Sequence, residues 1–368
     1  MISSSTSGEK EQAGSAFKIL MLALPSGLAM VKSIMMHPVQ VYEILIKSEE
    51  AKKRGTHYWQ RDETELPYEI PAYSPDMKNC TSREKYLRPS RLIESDAPEI
   101  IALANKLGAY QKPDKEYVDA CFTFIRRSVR FAFNSPLKGA LKTLKIGEAV
   151  CFDKAHLFIA LCRSGGIPAR LKSVNAAFTE QIYTEFTREF PLVKDLYDSV
   201  GYFTMHTMAE AYVDGKWQVG DVSIDDYYQA ALGLPLSRFG DDSSATWSWE
   251  EPGKTLRYEA IPPLFTTFTN VGMRLMKGIV LMLQDSWSEA LEMGRKIIDE
   301  AGGEEEYDRK IRRTYKAKLP EVSKKLFNML YAEEPEPVKG DMKPALKSRG
   351  SVPVASMQKE SGVAISGT

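Results

Sequence analysis

The 368-residue chain reads as an α+β protein because a buried helix, a strand directly after it and a β-hairpin further on follow one another in its middle third. The helix begins at Cys151 and runs Cys-Phe-Asp-Lys-Ala-His-Leu-Phe-Ile-Ala-Leu-Cys162-Arg-Ser; from Ala155 to Leu161 it is apolar on nearly every side, which suits a helix sunk in a core. Gly165-Gly166 stops it, since glycine takes positive φ without penalty and is favoured just past a helix end. Ile167 to Val174 then has the β-branched, alternating character of a short strand. The third sign is a pair of alternating runs, Met205 to Val213 and Lys216 to Ser223, on either side of Asp214-Gly215, the dipeptide of a tight primed turn.

These elements also arrange chemistry. A thiol in the first turn of a helix meets unpaired backbone N–H groups and the positive end of the helix dipole, and both favour the thiolate. Cys151 is therefore a candidate nucleophile, although the commoner role of a free cysteine is that of a small buried hydrophobe. In the hairpin His206 falls near the start of one strand and Asp221 near the end of its partner, so imidazole and carboxylate can lie side by side. A base, an orienting carboxylate and a thiol on a facing helix make up the set that nucleophilic cysteine catalysis requires. The backbone N–H of Cys151 is the natural first oxyanion donor; the residues upstream name no second.

Competing groups are separated by geometry. His156 lies about 140° round the helix from Cys151 and reads as a core or helix-surface histidine, while Cys162 lies about 16 Å along the axis and reads as core. Lys154 is expected to be solvated, as charged side chains normally are. Asp225 and Asp226 fall beyond the hairpin, Asp214 belongs to its turn, and Glu210, which shares a strand face with His206 and Met208, is expected in an ion pair.

Cys151-x-Asp-x-Ala, Leu161-Cys-Arg-Ser-Gly-Gly-Ile-Pro-Ala-Arg170 and His206-x-x-x-Glu-x-Tyr-Val-Asp-Gly-Lys-Trp217, with Asp221 four residues on, together resemble the transglutaminase-like superfamily. Tyr86-Leu-Arg-Pro-Ser90 is similar to the lead-in of many bacterial members. The resemblance covers roughly residues 86–226. Ala149 stands where members often carry Gly, and Met208 where an aromatic residue is common; neither position holds a catalytic group. The resemblance implies a papain-like core in which the nucleophile helix packs on an antiparallel sheet, with Cys151 as nucleophile, His206 as base, Asp221 as orienter, and no cofactor or metal. It implies acyl transfer from a peptide, amide or acyl-thioester substrate through an acyl-enzyme. Hydrolysis of peptidase or amidase type comes first, amide-bond formation in biosynthesis second, and a non-catalytic binding or scaffold module third.

Composition excludes other classes. With 49 basic and 49 acidic residues the chain offers no electrostatic case for nucleic acid. Its four cysteines, at 80, 121, 151 and 162, show neither CxxC spacing nor a metal pattern with the four histidines, which suggests free thiols in a reducing, cytoplasmic setting.

In chain order, residues 1–15 are expected to be disordered, and 16–85 to form a helical and irregular extension. Ala16 to Met36 is strongly apolar, but Lys18, Lys32, Pro25 and Gly27 are expected to break it into a helix pair too short to span a bilayer. Packing in the cytosol is the first reading and membrane-surface contact through 16–36 the second. One strand is expected near Tyr68. The core, 86–228, begins with helices from Ser95 or Asp96 to Gly108 and from Asp114 to Arg130, then Phe131-Ala-Phe133 extends into an approach loop, 134–146. A helical insertion, 175–205, carries Phe178, Ile182, Phe186 and Phe190 every four residues up to Pro191, as a flap over the cleft or a helix on the core. A helical region, 229–332, and a disordered tail, 333–368, complete the expectation.

Overall fold

The structure is a computed structural model, and it describes residues 5–54, 66–132, 137–188, 190–242, 246–262, 266–267, 270 and 277–331. The chain forms α1 (Ser5–Met36), α2 (Pro38–Arg54), α3 (Pro98–Leu107), α4 (Asp114–Ser128), β1 (Arg130–Phe131), α5 (Ala140–Ile146), β2 (Glu148–Ala149) and α6 (Cys151–Ser164). There follow β3 (Ala169–Phe178), α7 (Glu180–Thr187), α8 (Pro191–Val200), β4 (Phe203–Val213), β5 (Lys216–Gly220), α9 (Asp226–Ala231), β6 (Ser248–Glu250) and β7 (Leu256–Tyr258). Three helices come last: α10 (Lys277–Ala301), α11 (Glu304–Thr314) and α12 (Glu321–Tyr331).

The architecture is α+β. One sheet runs in the order β5-β4-β3-β6, with β7 also paired to β3, and every pairing in it is antiparallel. Helix α6 lies against β3 and β4, with α3, α4 and α5 around it, and all its residues from Phe152 to Ser164 are buried. Its interior face meets Phe122, Ile125, Leu144, Leu171, Ala209 and Val222 in the main core. The β4–β5 turn is of the expected primed kind, since Asp214 and Gly215 have φ of 53° and 76°. Gly220 lets the end of β5 approach α6 closely, because a Cβ there would stand 2.9 Å from the Phe158 ring.

Several expectations are corrected. α1 is one continuous helix through Pro25, not a pair, and it begins at Ser5, inside the stretch read as disordered. Pro25 forfeits one backbone hydrogen bond, but Ile19, Leu22, Ala29 and Ser33 on either side of it are buried and hold the helix together. By length and composition alone, Phe17–Met36 is long and apolar enough to cross a membrane.

The insertion is two helices, because Pro191 sits at the start of α8 where a missing N–H costs nothing, and Phe178 ends β3 instead of opening a helix. Among the described residues no strand forms near Tyr68; Tyr68 instead donates to the Leu144 carbonyl at 2.6 Å. Part of the expected approach loop is α5. The region beyond 229, read as helical, contributes β6 and β7, so the sheet extends past the expected boundary at 228. Three-residue strands carry no periodic signal of their own and exist here by pairing with β3. The tail, 333–368, lies outside the described residues.

Candidate active site

Cys151 is the first residue of α6, with extended Val150 before it and Asp153 in its first turn. It is half-buried, while the rest of the helix is inaccessible. Asp153 accepts from the backbone N–H groups of Lys138 and Gly139, both at 3.1 Å, and contacts His156 Nδ1 at 3.1 Å. The aspartate of the Cys-x-Asp pair thus fastens the approach to α5 against the start of α6. His156 is fully buried and Cys162 lies in the core, where both were expected.

β4 pairs with β3 so that His206 faces Val174, and with β5 so that Ala209 faces Gly220. Asp221 therefore leaves β5 beside the face that carries His206. The His206 Nε2–H donates to Asp221 Oδ2 at 2.9 Å, and the Cys151 thiol lies beside the imidazole, near enough to act on its charge. With Nε2 committed to the carboxylate, Nδ1 is the ring atom left for sulfur. Asp221 Oδ1 accepts from the Ser223 N–H at 3.1 Å, and the Asp221 carbonyl accepts from Arg126 Nη1 at 3.3 Å. The structure brings all three sequence-derived candidates into one row: sulfur, imidazole, carboxylate.

The electrostatics follow from that row. Burial alone would push the imidazole down, but the Asp221 charge, the hydrogen bond to it and the Cys151 contact outweigh burial and hold His206 up at about 10. Asp221 shows the reciprocal balance: burial raises it, yet His206 and the Ser223 hydrogen bonds hold it below the ordinary carboxylate range. At neutral pH the thiol therefore neighbours an imidazolium.

Lys154 is the principal correction. It is fully buried and donates to Asp225 Oδ1 at 2.5 Å, and burial holds its ammonium below the usual lysine range against the pull of Asp225. Asp225 Oδ2 also accepts from the Phe131 N–H at 2.8 Å. Asp226 accepts from Arg126 Nε at 2.8 Å, and Arg126 also reaches Gln229. Neither carboxylate competes with Asp221; together they tie α4, β1 and α9 to the back of α6. A solvated lysine was the reasonable expectation, because its partner lies 71 residues away in sequence. Glu210 does form ion pairs, with Arg170 at 2.6 Å and Arg257 at 3.1 Å.

Sequence reasoning missed the aromatic surround. Cys151 packs at the edge of a cluster that includes Phe131, Trp247 and Trp287. Trp247 sets its ring 4.8 Å from that of His206, edge to face, with Phe178 5.3 Å from Trp247. Trp287, from α10, stacks on Tyr228 at 3.6 Å and meets Phe131 at 4.6 Å. The Trp247 indole N–H is buried and has no acceptor among the described residues. Tyr258 on β7 continues a hydroxyl chain through Ser173 to Thr207, at 2.5 and 2.7 Å. The Trp247-Ser-Trp249 run was visible in the sequence, but nothing local tied it to His206. Among the described residues no group of His, Cys, Asp and Glu is placed to hold a metal ion.

Residues 101–222 match the family model described as the transglutaminase-like superfamily. No curated protein matches the sequence. Among solved structures, a protein from Cytophaga hutchinsonii provisionally called a cysteine protease is 24% identical, over 48% of this chain and 50% of that one, with a TM-score of 0.29. The chain thus spans about half the length of that protein. Over residues 101–222 the chain is similar to the transglutaminase-like superfamily, and its α+β architecture is consistent with a papain-like, cysteine-based catalytic fold.

Proposed function

We propose that the chain is a cysteine acyl-transfer enzyme in which Cys151 attacks an amide or thioester carbonyl and water is the final acceptor. The observation that carries this reading is the position of His206, held between the Asp221 carboxylate and the Cys151 thiol. In the first half-reaction the sulfur forms a bond to the carbonyl carbon, with the Cys151 N–H at the helix start as one oxyanion donor. The Trp247 N–H, buried without an acceptor among the described residues, is the group to examine as a second. His206 passes its proton to the leaving amine or thiolate as the carbon–nitrogen or carbon–sulfur bond breaks, and an acyl-enzyme remains. In the second half-reaction neutral His206 takes a proton from water, the oxygen bonds to the acyl carbon, and the thioester bond to Cys151 breaks.

Water is favoured over an amine acceptor by the walls of the site. An amine arrives mostly as ammonium and is best recruited by an unengaged carboxylate. The carboxylates framing this site are taken, Asp221 by His206 and Ser223, Asp225 by Lys154 and the Phe131 N–H. Among the described residues the cluster that Cys151 packs against is apolar, aromatic and aliphatic together.

The test is trapping and acceptor partition. Incubation with a panel of activated acyl esters and thioesters is expected to give a covalent acyl adduct on Cys151, seen by mass spectrometry. The adduct should disappear in His206→Ala and decay to free acid at a rate unchanged by added alkylamine. A rate of decay that climbs with amine, giving the amide, would replace hydrolysis by amide formation. Absence of any adduct, together with slow alkylation of Cys151 by iodoacetamide, would assign a binding module instead.

A further inference from the structure

Helix α1 has two apolar faces, and the fold uses one. Ile19, Leu22, Ala29 and Ser33 are buried, and along this side α1 packs on α8. On the opposite side Phe17, Met21, Leu24, Leu28, Val31 and Met35 recur at intervals of four and three, one stripe of a helix with 3.6 residues per turn. Every one of the six is exposed, Leu28 by 65% and Met35 by 70%. Beyond His37, α2 continues the pattern with exposed Val39, Tyr42 and Leu45. A continuous apolar stripe of this length on a soluble surface marks an interaction site.

Charge decides the partner. Between Gln12 and Tyr42 there is no Asp or Glu. Lys18 and Lys32 are both exposed and lie about four helical turns apart, so they share one flank of the stripe. His37, the other basic group there, is engaged by Asp195 at 2.6 Å. A second copy docked on the same stripe would set lysines near lysines with no carboxylate to answer them, which opposes self-association. An anionic surface meets both requirements: it takes the apolar stripe, and it draws the lysines, whose stems can lie along the stripe while the ammonium groups stay at the headgroups.

The orientation also follows. α8, packed along the other side of α1, carries Lys194, Asp195 and Asp198, with Lys194 paired to Asp198. A spanning α1 would drag these charges into hydrocarbon, at high cost. We propose that α1 lies in the plane of an anionic lipid surface, with its Phe17–Met35 stripe in the acyl boundary and the catalytic domain held outside.

Flotation of the full chain with vesicles tests this. Binding is expected to vesicles of phosphatidylcholine containing phosphatidylglycerol, to weaken on vesicles of phosphatidylcholine alone, and to be reversed by alkaline carbonate. Leu28→Glu with Met35→Glu is expected to weaken binding by at least about tenfold. Lys18→Gln with Lys32→Gln should cost on the order of fivefold per lysine on the anionic vesicles and change little on the neutral ones. If the glutamate pair lowers the thermal midpoint, the lysine pair, whose ammonium groups face solvent, keeps the question decidable. The proposal fails if the wild-type chain does not float. It fails equally if bound protein resists carbonate, which means a span. It also fails if light scattering finds a dimer that the glutamate pair dissolves while vesicles are ignored, which means a second copy.

Discussion

Helices α6 and α1 are both rich in Leu, Ile, Ala and Met or Phe, yet the fold treats them in opposite ways. β3, β4, α3, α4 and α5 surround α6, and it leaves only Cys151 partly open. α1 is covered along one side and shows six large apolar residues on the other. Apolarity in a sequence states that a surface will be covered; it does not state by what. For α6 the cover is the rest of the chain, and the one partly uncovered residue is the proposed nucleophile.

The comparison breaks or sharpens at particular residues. The largest effects belong to the open end of α6. Cys151→Ala and His206→Ala are each expected to lower kcat by on the order of 10⁴-fold or more, and Asp221→Ala by about as much or somewhat less. Steady-state turnover of the best acyl ester from the panel checks the order. Folding should persist in all three, as far-ultraviolet circular dichroism will show.

Next comes the buried flank of the same helix. Lys154→Met removes the partner of a buried carboxylate and should cost about 3–5 kcal/mol in urea unfolding, with part of that restored by adding Asp225→Asn. A loss below about 1 kcal/mol would mean that the pair behaves like a surface contact and that α6 is less enclosed than its burial implies.

A smaller effect is tied to pH. His206 is raised from 6.5 to about 10, so its contribution is full below 6.5, fades as pH rises and is gone above about 10. Asp221 is lowered from 3.8, so its contribution is present above 3.8 and is lost as pH falls through the lowered value. Wild-type stability should therefore decline relative to His206→Gln between pH 6.5 and 10, and amide turnover should fall as the imidazolium is titrated near 10. Urea midpoints of the two proteins across that range give the first slope, and the pH profile of kcat/KM gives the second.

The smallest effect belongs to the open face of α1. Leu28→Gln, at a site 65% exposed, should shift stability in vesicle-free buffer by no more than about 0.5 kcal/mol. A loss of several times that would reveal a cover within this chain.

The parts of the fold legible in the sequence were those with local causes. The α6 start, the Gly165-Gly166 stop and the Asp214-Gly215 turn each follow from a few adjacent residues, and together they set His206, Asp221 and Cys151 in register. The illegible parts depend on partners distant in the chain. β6 and β7 become strands because β3 pairs with them, Lys154 is buried because Asp225 arrives, and Trp247 matters because β6 brings it to His206. α1 stays whole through Pro25 because α8 supports its other side, a fact no window around Pro25 contains.

Gly220 carries a last consequence. It is the residue immediately before Asp221, and the hydrogen it bears in place of a methyl group lets β5 settle onto Phe158. The span between carboxylate and imidazole is thus fixed from across the core, by a ring with no part in the chemistry. An added methyl at 220 would act as a wedge, lifting the carboxylate from its histidine and weakening the base without touching any group that meets substrate.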